Sequence, residues 1–261
     1  MKNFNFKSAT STKEATKLAS GRATFLAGGM TLIPAMKLRL AAYSDLINIK
    51  KIKGISGIKV SSKSIRIGAT TTHAEVAASK EVGKSIPSLA VLAEGIGDPQ
   101  VRNRGTIGGS VANNDPAADY PSACLALNAT IHTSKRKIPA DKFFKGMFET
   151  DLKKGELIES IEFEVPEKSA YAKYPNPASR YAIVGVYVAK LKKEIRVAIT
   201  GAASSVFRSK ELESALLSNF SPSAVDSVNI SSKNLNSDIH ASADYRAHII
   251  KVITKKAVSS C

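Results

Sequence analysis

Hydrophobic and polar positions change rhythm several times along the chain, and each change marks an element. Ser11-Thr12-Lys13-Glu14 has the form of a capping box and opens a helix through Leu18 that stops near Gly21. Ala23 to Ala27 is a short apolar strand closed by Gly28-Gly29. A second helix starts at Thr31 or Pro34, where proline is tolerated in the first turn, and carries Met36, Leu38 and Leu40. Leu46 to Ile49 returns as a strand, so residues 1–52 alternate strand and helix.

From residue 53 the period shortens. Gly57 to Val60 and Ser64 to Gly68 predict a hairpin around Ser61-Ser62-Lys63. Thr71-Thr72 caps a helix through Ala78, and Pro87 to Ala93 forms another. Gly95 to Pro121 is crowded with glycine, proline and asparagine and reads as a long loop before the apolar helix Ser122 to Leu127. A loop of that length inside a domain is usually functional. Strands at Thr130 to Thr133 and Leu157 to Phe163 complete a segment ending near residue 165. Val165-Pro166-Glu167-Lys168-Ser169 is the best boundary. Beyond it, Tyr181 to Ala189 and Glu194 to Ala202 predict an antiparallel pair, followed by helices at Arg208 to Leu217, Ser223 to Val228 and Ala243 to Ser259. The fold class is α+β, with units at 1–165 (subdomains about 1–52 and 53–165) and 168–261.

Composition narrows the function. No apolar run reaches the roughly 20 residues of a membrane span, and Met1 to Phe6 shows no secretory pattern. A cytoplasmic protein is the expectation. The 2 cysteines, Cys124 and Cys261, fall short of an iron–sulfur ligand set, and no Cys/His group has zinc spacing. The net charge of +16 is spread over short clusters with no aromatic strand among them to stack bases. A solvated basic surface, or docking onto acidic partner chains, is therefore favoured over nucleic-acid binding.

Two glycine-rich turns carry the candidate chemistry. Ala27-Gly28-Gly29-Met30-Thr31 lies between a strand and a helix, where adjacent glycines let consecutive N–H groups converge on an anion. Gly105-Thr106-Ile107-Gly108-Gly109-Ser110 repeats the pattern of paired glycines flanked by hydroxyls. Two such nests suit a ligand with two linked phosphates. Taken alone, a Gly-Gly pair ending a strand is more often only a tight turn. Neither turn fits the Rossmann fingerprint or a Walker A loop.

In their wider context the turns resemble the FAD-pyrophosphate motifs of molybdenum hydroxylase flavoprotein subunits, of the carbon monoxide, aldehyde or xanthine dehydrogenase type. The first motif is Leu26 to Leu40 and the second Asp98 to Ser110. Lys173 to Gly185 is similar to the start of that family's C-terminal domain, and Ala243 to His248 to its last-helix motif. The resemblance implies a vanillyl-alcohol-oxidase (PCMH)-type FAD-binding domain of two α+β subdomains. A C-terminal α+β domain with a small antiparallel sheet and helices follows.

The resemblance also implies that non-covalent FAD contacts Ala27, Gly28, Gly29, Met30, Thr31, Thr106, Ile107, Gly108, Gly109 and Ser110. Asp119, Ile158, Lys173, Tyr181 and Ile96 match further cofactor positions. Asp119 equally suits an N-cap of the following helix, Lys173 an exposed strand lysine and Tyr181 an ordinary core aromatic. Met30 stands where covalent flavin oxidases often carry histidine, which excludes attachment there, and His73 reads as a helix-start residue. In the relatives, a small subunit holds [2Fe–2S] clusters and a large subunit a molybdopterin cofactor, in a dimer of heterotrimers. This chain then passes electrons to an external acceptor and supplies no catalytic residue or metal ligand of its own. The substrate stays open among carbon monoxide, an aldehyde and a heterocycle, and the acceptor among a quinone, a ferredoxin, oxygen and NAD. The enzymatic alternative is a free-standing flavin oxidoreductase of the same fold. The non-enzymatic one is a basic nucleic-acid-binding protein.

Overall fold

The computed structural model describes residues 1–261. Its first unit comprises β1 (Asn5–Ser8), α1 (Thr12–Leu18), β2 (Ala23–Leu26), α2 (Leu32–Lys37) and β3 (Asp45–Asn48). The strands form a parallel sheet in the order β1-β3-β2. Ser11 caps α1 by accepting the Glu14 N–H, and the Glu14 carboxylate reaches back to the Thr10 N–H at 2.8 Å. The helix α2 is shorter than its apolar spacing predicts. Leu38 and Leu40 lie outside it and are 71% and 79% exposed. The cause is a C-terminal Schellman closure: the Leu40 N–H bonds the Ala35 carbonyl at 2.9 Å and the Arg39 N–H bonds Met36 at 3.1 Å. Arg39, at φ +60°, takes the left-handed position that glycine usually fills.

The second unit is built on an antiparallel sheet in the order β4-β5-β10-β6-β7. Its elements are β4 (Ile58–Val60), β5 (Ser64–Gly68), α3 (His73–Ala78), α4 (Lys80–Ser85), α5 (Pro87–Glu94), α6 (Pro99–Arg102), α7 (Ile107–Asn113) and α8 (Tyr120–Ala126). β6 (Thr130–Thr133), β7 (Lys137–Pro139), α9 (Ala140–Phe143), β8 (Phe144–Gly146), β9 (Glu149–Thr150) and β10 (Ile158–Glu164) complete it. The predicted hairpin is β4–β5, and Thr72 makes a full capping box with Glu75 on α3. The predicted long loop 95–121 instead contains α6 and α7, and α8 starts at Tyr120. Gly108 and Gly109 disfavour a helix. The Thr106 cap and the burial of Ile107 and Val111 outweigh that preference.

The third unit is an antiparallel sheet, β11 (Lys168–Pro175), β12 (Ala182–Lys190), β13 (Ile195–Thr200) and β14 (Phe207–Arg208), in that order. Helices α10 (Lys210–Ser218) and α11 (Ala243–Ser259) flank a 3-10 turn at Pro222–Val225, where a helix was predicted over 223–228. One face of this sheet, with Val186, Val188, Val197 and Ile199, packs with Leu212, Ile250 and Ile253. The other face contributes Tyr187, Ala189 and Ala198 to the core of the second unit, beside Leu89, Cys124 and Phe143. Burial on both faces explains why Ala182 to Ala189 is an unbroken apolar run. The boundary at 165–169 is thus a break in the chain's course and not in its packing. Expressed alone, residues 168–261 should expose that second face and show no cooperative urea unfolding. A sharp two-state transition of the fragment would contradict the shared core.

Candidate functional site

The first glycine turn leaves the end of β2, where the Leu26 carbonyl accepts the Ile49 N–H at 3.1 Å. Gly29 sits at φ +76°, a left-handed conformation that bends successive peptide groups toward one side. The backbone N–H groups of Gly28, Gly29, Met30 and Thr31 donate to no acceptor in the protein, and the Thr31 hydroxyl makes no cap bond. Unpaired donors at consecutive positions are a cradle for anionic oxygen atoms. Lys50 follows β3 beside this turn. Burial, then the nearby Arg104 charge, lowers the Lys50 pKa, so two cations share this end of the sheet.

The second turn works differently from the nest its sequence suggests. The Ile107 N–H bonds the Thr71 carbonyl at 3.1 Å, and the Gly108 N–H bonds Ala69 at 2.9 Å. The Gly109 N–H bonds the Thr106 Oγ1 at 3.2 Å. These donors are consumed internally, so the turn is a fixed platform. The exposed Gly109, the Ser110 hydroxyl and the Thr106 N–H, none of them bonded outside the turn, remain for a ligand.

The glycines divide accordingly. A Cβ on Gly28 would overlap the Arg104 carbonyl, so this glycine brings the two turns into backbone contact. A Cβ on Gly108 would meet the Ala69 Cβ at 2.5 Å, and one on Gly105 would meet the His73 Nε2 at 2.6 Å. On Gly109 it would meet only the Thr106 Oγ1, at 2.9 Å. His73 begins α3 as predicted, and it is also the buried floor under Gly105, 5.4 Å from the Tyr120 ring. Burial, then the Arg102 charge, lowers its pKa to about 4.

A second cluster joins the second and third units. Asp119 precedes α8, but its side chain makes no cap bond. It is buried, accepts the Tyr171 hydroxyl, and lies 3.1 Å from the Lys173 Nζ, which also donates to the Gly95 carbonyl at 2.9 Å. Burial pushes the Asp119 carboxyl up from its usual range, and Lys173 and Tyr171 pull against that shift. Lys173 is thus no exposed strand lysine; it ties β11 to the carbonyl preceding Ile96. Ile96 packs on the edge of the core, and Tyr181 is 45% exposed at the start of β12. Burial, then the charges of Asp115 and Asp119, raises the Tyr181 pKa. Ile158 is buried in the core, and its backbone pairs with Thr133. Arg246, from the last-helix motif, holds the Ile183 carbonyl at 2.6 Å and Asp238 at 2.7 Å, a packing role. Sequence reading missed Tyr171 and the Gly95 carbonyl. The signal for Tyr171 was its place two residues before Lys173, on the same strand face.

A family model described as the FAD binding domain in molybdopterin dehydrogenase matches residues 2–167. The glyceraldehyde dehydrogenase medium chain of Sulfolobus acidocaldarius is 36% identical, covering 97% of this chain and 96% of the relative. The carbon monoxide dehydrogenase medium chain of Hydrogenophaga pseudoflava is 34% identical over 91% of this chain and 88% of its own. Among solved structures, carbon monoxide dehydrogenase from H. pseudoflava, in a form lacking the Mo-pyranopterin moiety, superposes with TM-score 0.91 at 32% identity. It covers 99% of this chain and 96% of that one. Quinoline 2-oxidoreductase from Pseudomonas putida matches with TM-score 0.89 at 26% identity, over 100% and 98% of the two chains.

Two outcomes follow for stability. Gly108→Ala should destabilise by about 1–3 kcal/mol through overpacking, and Gly109→Ala by less, since its Cβ presses only on the Thr106 Oγ1; urea midpoints compare them. The folded-state pKa of His73 is depressed, so its contribution is complete above the unfolded value of 6.5 and is lost as pH falls through about 4. Urea midpoints should therefore drop across that window, and His73→Phe should flatten the drop. An unchanged slope would remove His73 as its cause.

Proposed function

Because the chain belongs to the FAD-binding family of molybdopterin dehydrogenases, the flavoprotein medium subunits of molybdenum hydroxylases, we propose a specific place for it in such an oxidoreductase. It takes electrons from the [2Fe–2S] clusters of a small subunit and passes them to an external acceptor. Substrate is oxidised on a separate molybdopterin subunit, in a dimer of heterotrimers in the cytoplasm. The observation that carries the cofactor assignment is the run of unpaired N–H donors from Gly28 to Thr31, set against the Gly109–Ser110 platform.

In this reading Ala27 to Thr31 hold the FAD pyrophosphate, and the charges of Lys50 and Arg104 offset its negative charge. Thr106, Ile107 and Gly108 contribute by fixing the platform, and Gly109 by leaving it bare. Asp119 and Lys173 hold the junction with the third unit, where Ile96 and Tyr181 border the flavin. Ile158 supports the site from the core. FAD supplies the redox chemistry, exchanging electrons singly with iron–sulfur partners and singly or in pairs with the acceptor. The protein binds, orients and shields it.

Titrating the purified chain with FAD tests the assignment. Stoichiometric, acid-releasable binding is expected, with Gly109→Val weakening it by roughly tenfold or more, about 1.4 kcal/mol per decade. The apo-protein's urea midpoint, read alongside, separates lost binding from strain on the Thr106 cap. Unchanged affinity in Gly109→Val would remove the platform from the site. Purification from the native host should bring an iron–sulfur chain and a molybdopterin chain with this one; a solitary species with full turnover would refute the subunit role.

A further inference from the structure

We propose that Tyr171, reaching the site through Asp119, is a positioning residue that sets how strongly the Lys173 charge is felt by the bound flavin. The inference rests on the FAD reading above and deepens it. Lys173 has three N–H donors. One goes to the Gly95 carbonyl at 2.9 Å, and the ammonium lies 3.1 and 3.2 Å from the two oxygens of Asp119. Asp119 is buried, so the pairing is not shared with bulk water, and its Oδ1 also accepts the Tyr171 hydroxyl. That hydrogen bond withdraws charge from the carboxylate and leaves the ammonium less neutralised.

The surroundings hold Tyr171 in place. Its ring lies 5.9 Å from that of Tyr187, whose hydroxyl is fixed by Ser88 at 2.6 Å. Gly185, opposite Lys173 on β12, leaves the space that the Tyr171 hydroxyl occupies: a Cβ there would stand 2.5 Å from that oxygen. The acceptor is anchored independently. The Asp115–Asp119 loop is tied to β13 by the Thr200 hydroxyl, whose one proton is shared between the Ala118 carbonyl at 2.6 Å and the Pro116 carbonyl at 3.0 Å. Burial, then Asp119, raises the Tyr171 pKa well above its ordinary value, so its hydroxyl stays a donor.

Removing the Tyr171 hydroxyl leaves Asp119 to Lys173 alone. The ammonium is then more fully neutralised, and a reduced, more negative flavin loses stabilisation that the oxidised form does not need. The test loads the full-length chain with FAD and measures oxidised-FAD affinity and midpoint potential in wild type, Tyr171→Phe and Gly185→Ala. Gly185→Ala presses on the same hydroxyl, and its Cβ also meets the Thr200 methyl at 2.8 Å. Expected are wild-type circular dichroism, oxidised-FAD affinity within about threefold, and a fall of roughly tenfold in the ratio of reduced to oxidised affinity. For a two-electron couple that lowers the midpoint by about 30 mV. A purely structural tyrosine would weaken both redox states alike and leave the potential unmoved. That result, in variants that still bind FAD, overturns the inference and leaves the cofactor assignment standing. A wild-type chain that takes up no FAD, alone or with its partner chains, overturns both. If Tyr171→Phe does not fold, Gly185→Ala carries the comparison; if neither folds, the residue is structural and the inference fails.

Discussion

The site depends on one contact of backbone against backbone. The Gly28 peptide lies on the carbonyl of Arg104 so closely that no side chain fits between them. This contact places the donor-bearing turn of a small parallel sheet against the platform of a separate antiparallel one. The units carry distinct clusters of buried residues, one around Ile47 and Ile52 and the other around Ile65, Leu89 and Ile131, and each could be assembled in many relative poses. A glycine at this position allows the pose in which the two turns touch. Gly108 does the same within the second unit, setting α7 directly on Ala69.

A second junction, polar and buried, joins the second and third units. Lys173, Asp119 and Tyr171 come from two units and satisfy one another away from solvent. Such a cluster is costly to leave half-made, because a single missing partner strands a buried charge. It therefore specifies the pose of β11 more sharply than the apolar contacts around it, which tolerate repacking. The shared core behind it, with Tyr187 and Ala198 among the residues of the second unit, supplies the bulk of the burial. Apolar packing brings the sheets together, and the polar cluster selects their alignment.

The parts of this that were legible in sequence share a property: local residues decide them. The Thr72–Glu75 capping box, the β4–β5 hairpin and the Ala182–Ala189 run were all readable because spacing alone specifies them. The resemblance of the two glycine motifs to a known family points to the same two turns that the fold brings into contact. What escaped was decided by contacts distant in sequence or by a single backbone angle. Arg39 ended α2 early by adopting a conformation that arginine seldom takes. α7 formed across two glycines because Ile107 and Val111 found a core. The second turn reads as an anion nest, but Thr71 and Ala69, over thirty residues earlier, take the N–H groups of Ile107 and Gly108. Paired glycines mark a close approach, and only the partner's identity says whether the approach is to a ligand or to the protein itself.

The same distinction bears on the charge. The buried carboxylates are committed inward: Asp119 to Lys173, Glu156 to Arg136 and Glu213 to Arg208. Each such pair removes one charge of each sign, so pairing leaves the surplus of +16 untouched and carries it outward. The surface is therefore more uniformly basic than the composition suggests. Lys50 and Arg104 are a part of that surplus close enough for their charges to repel. The remainder faces solvent over all three units, where salt screens it beyond about 10 Å. An acidic partner is drawn by such a surface at long range but oriented only by contacts of shorter reach. The charge thus governs how readily this chain meets its partners, and the two glycine turns with the Lys173 junction govern what it holds when it does.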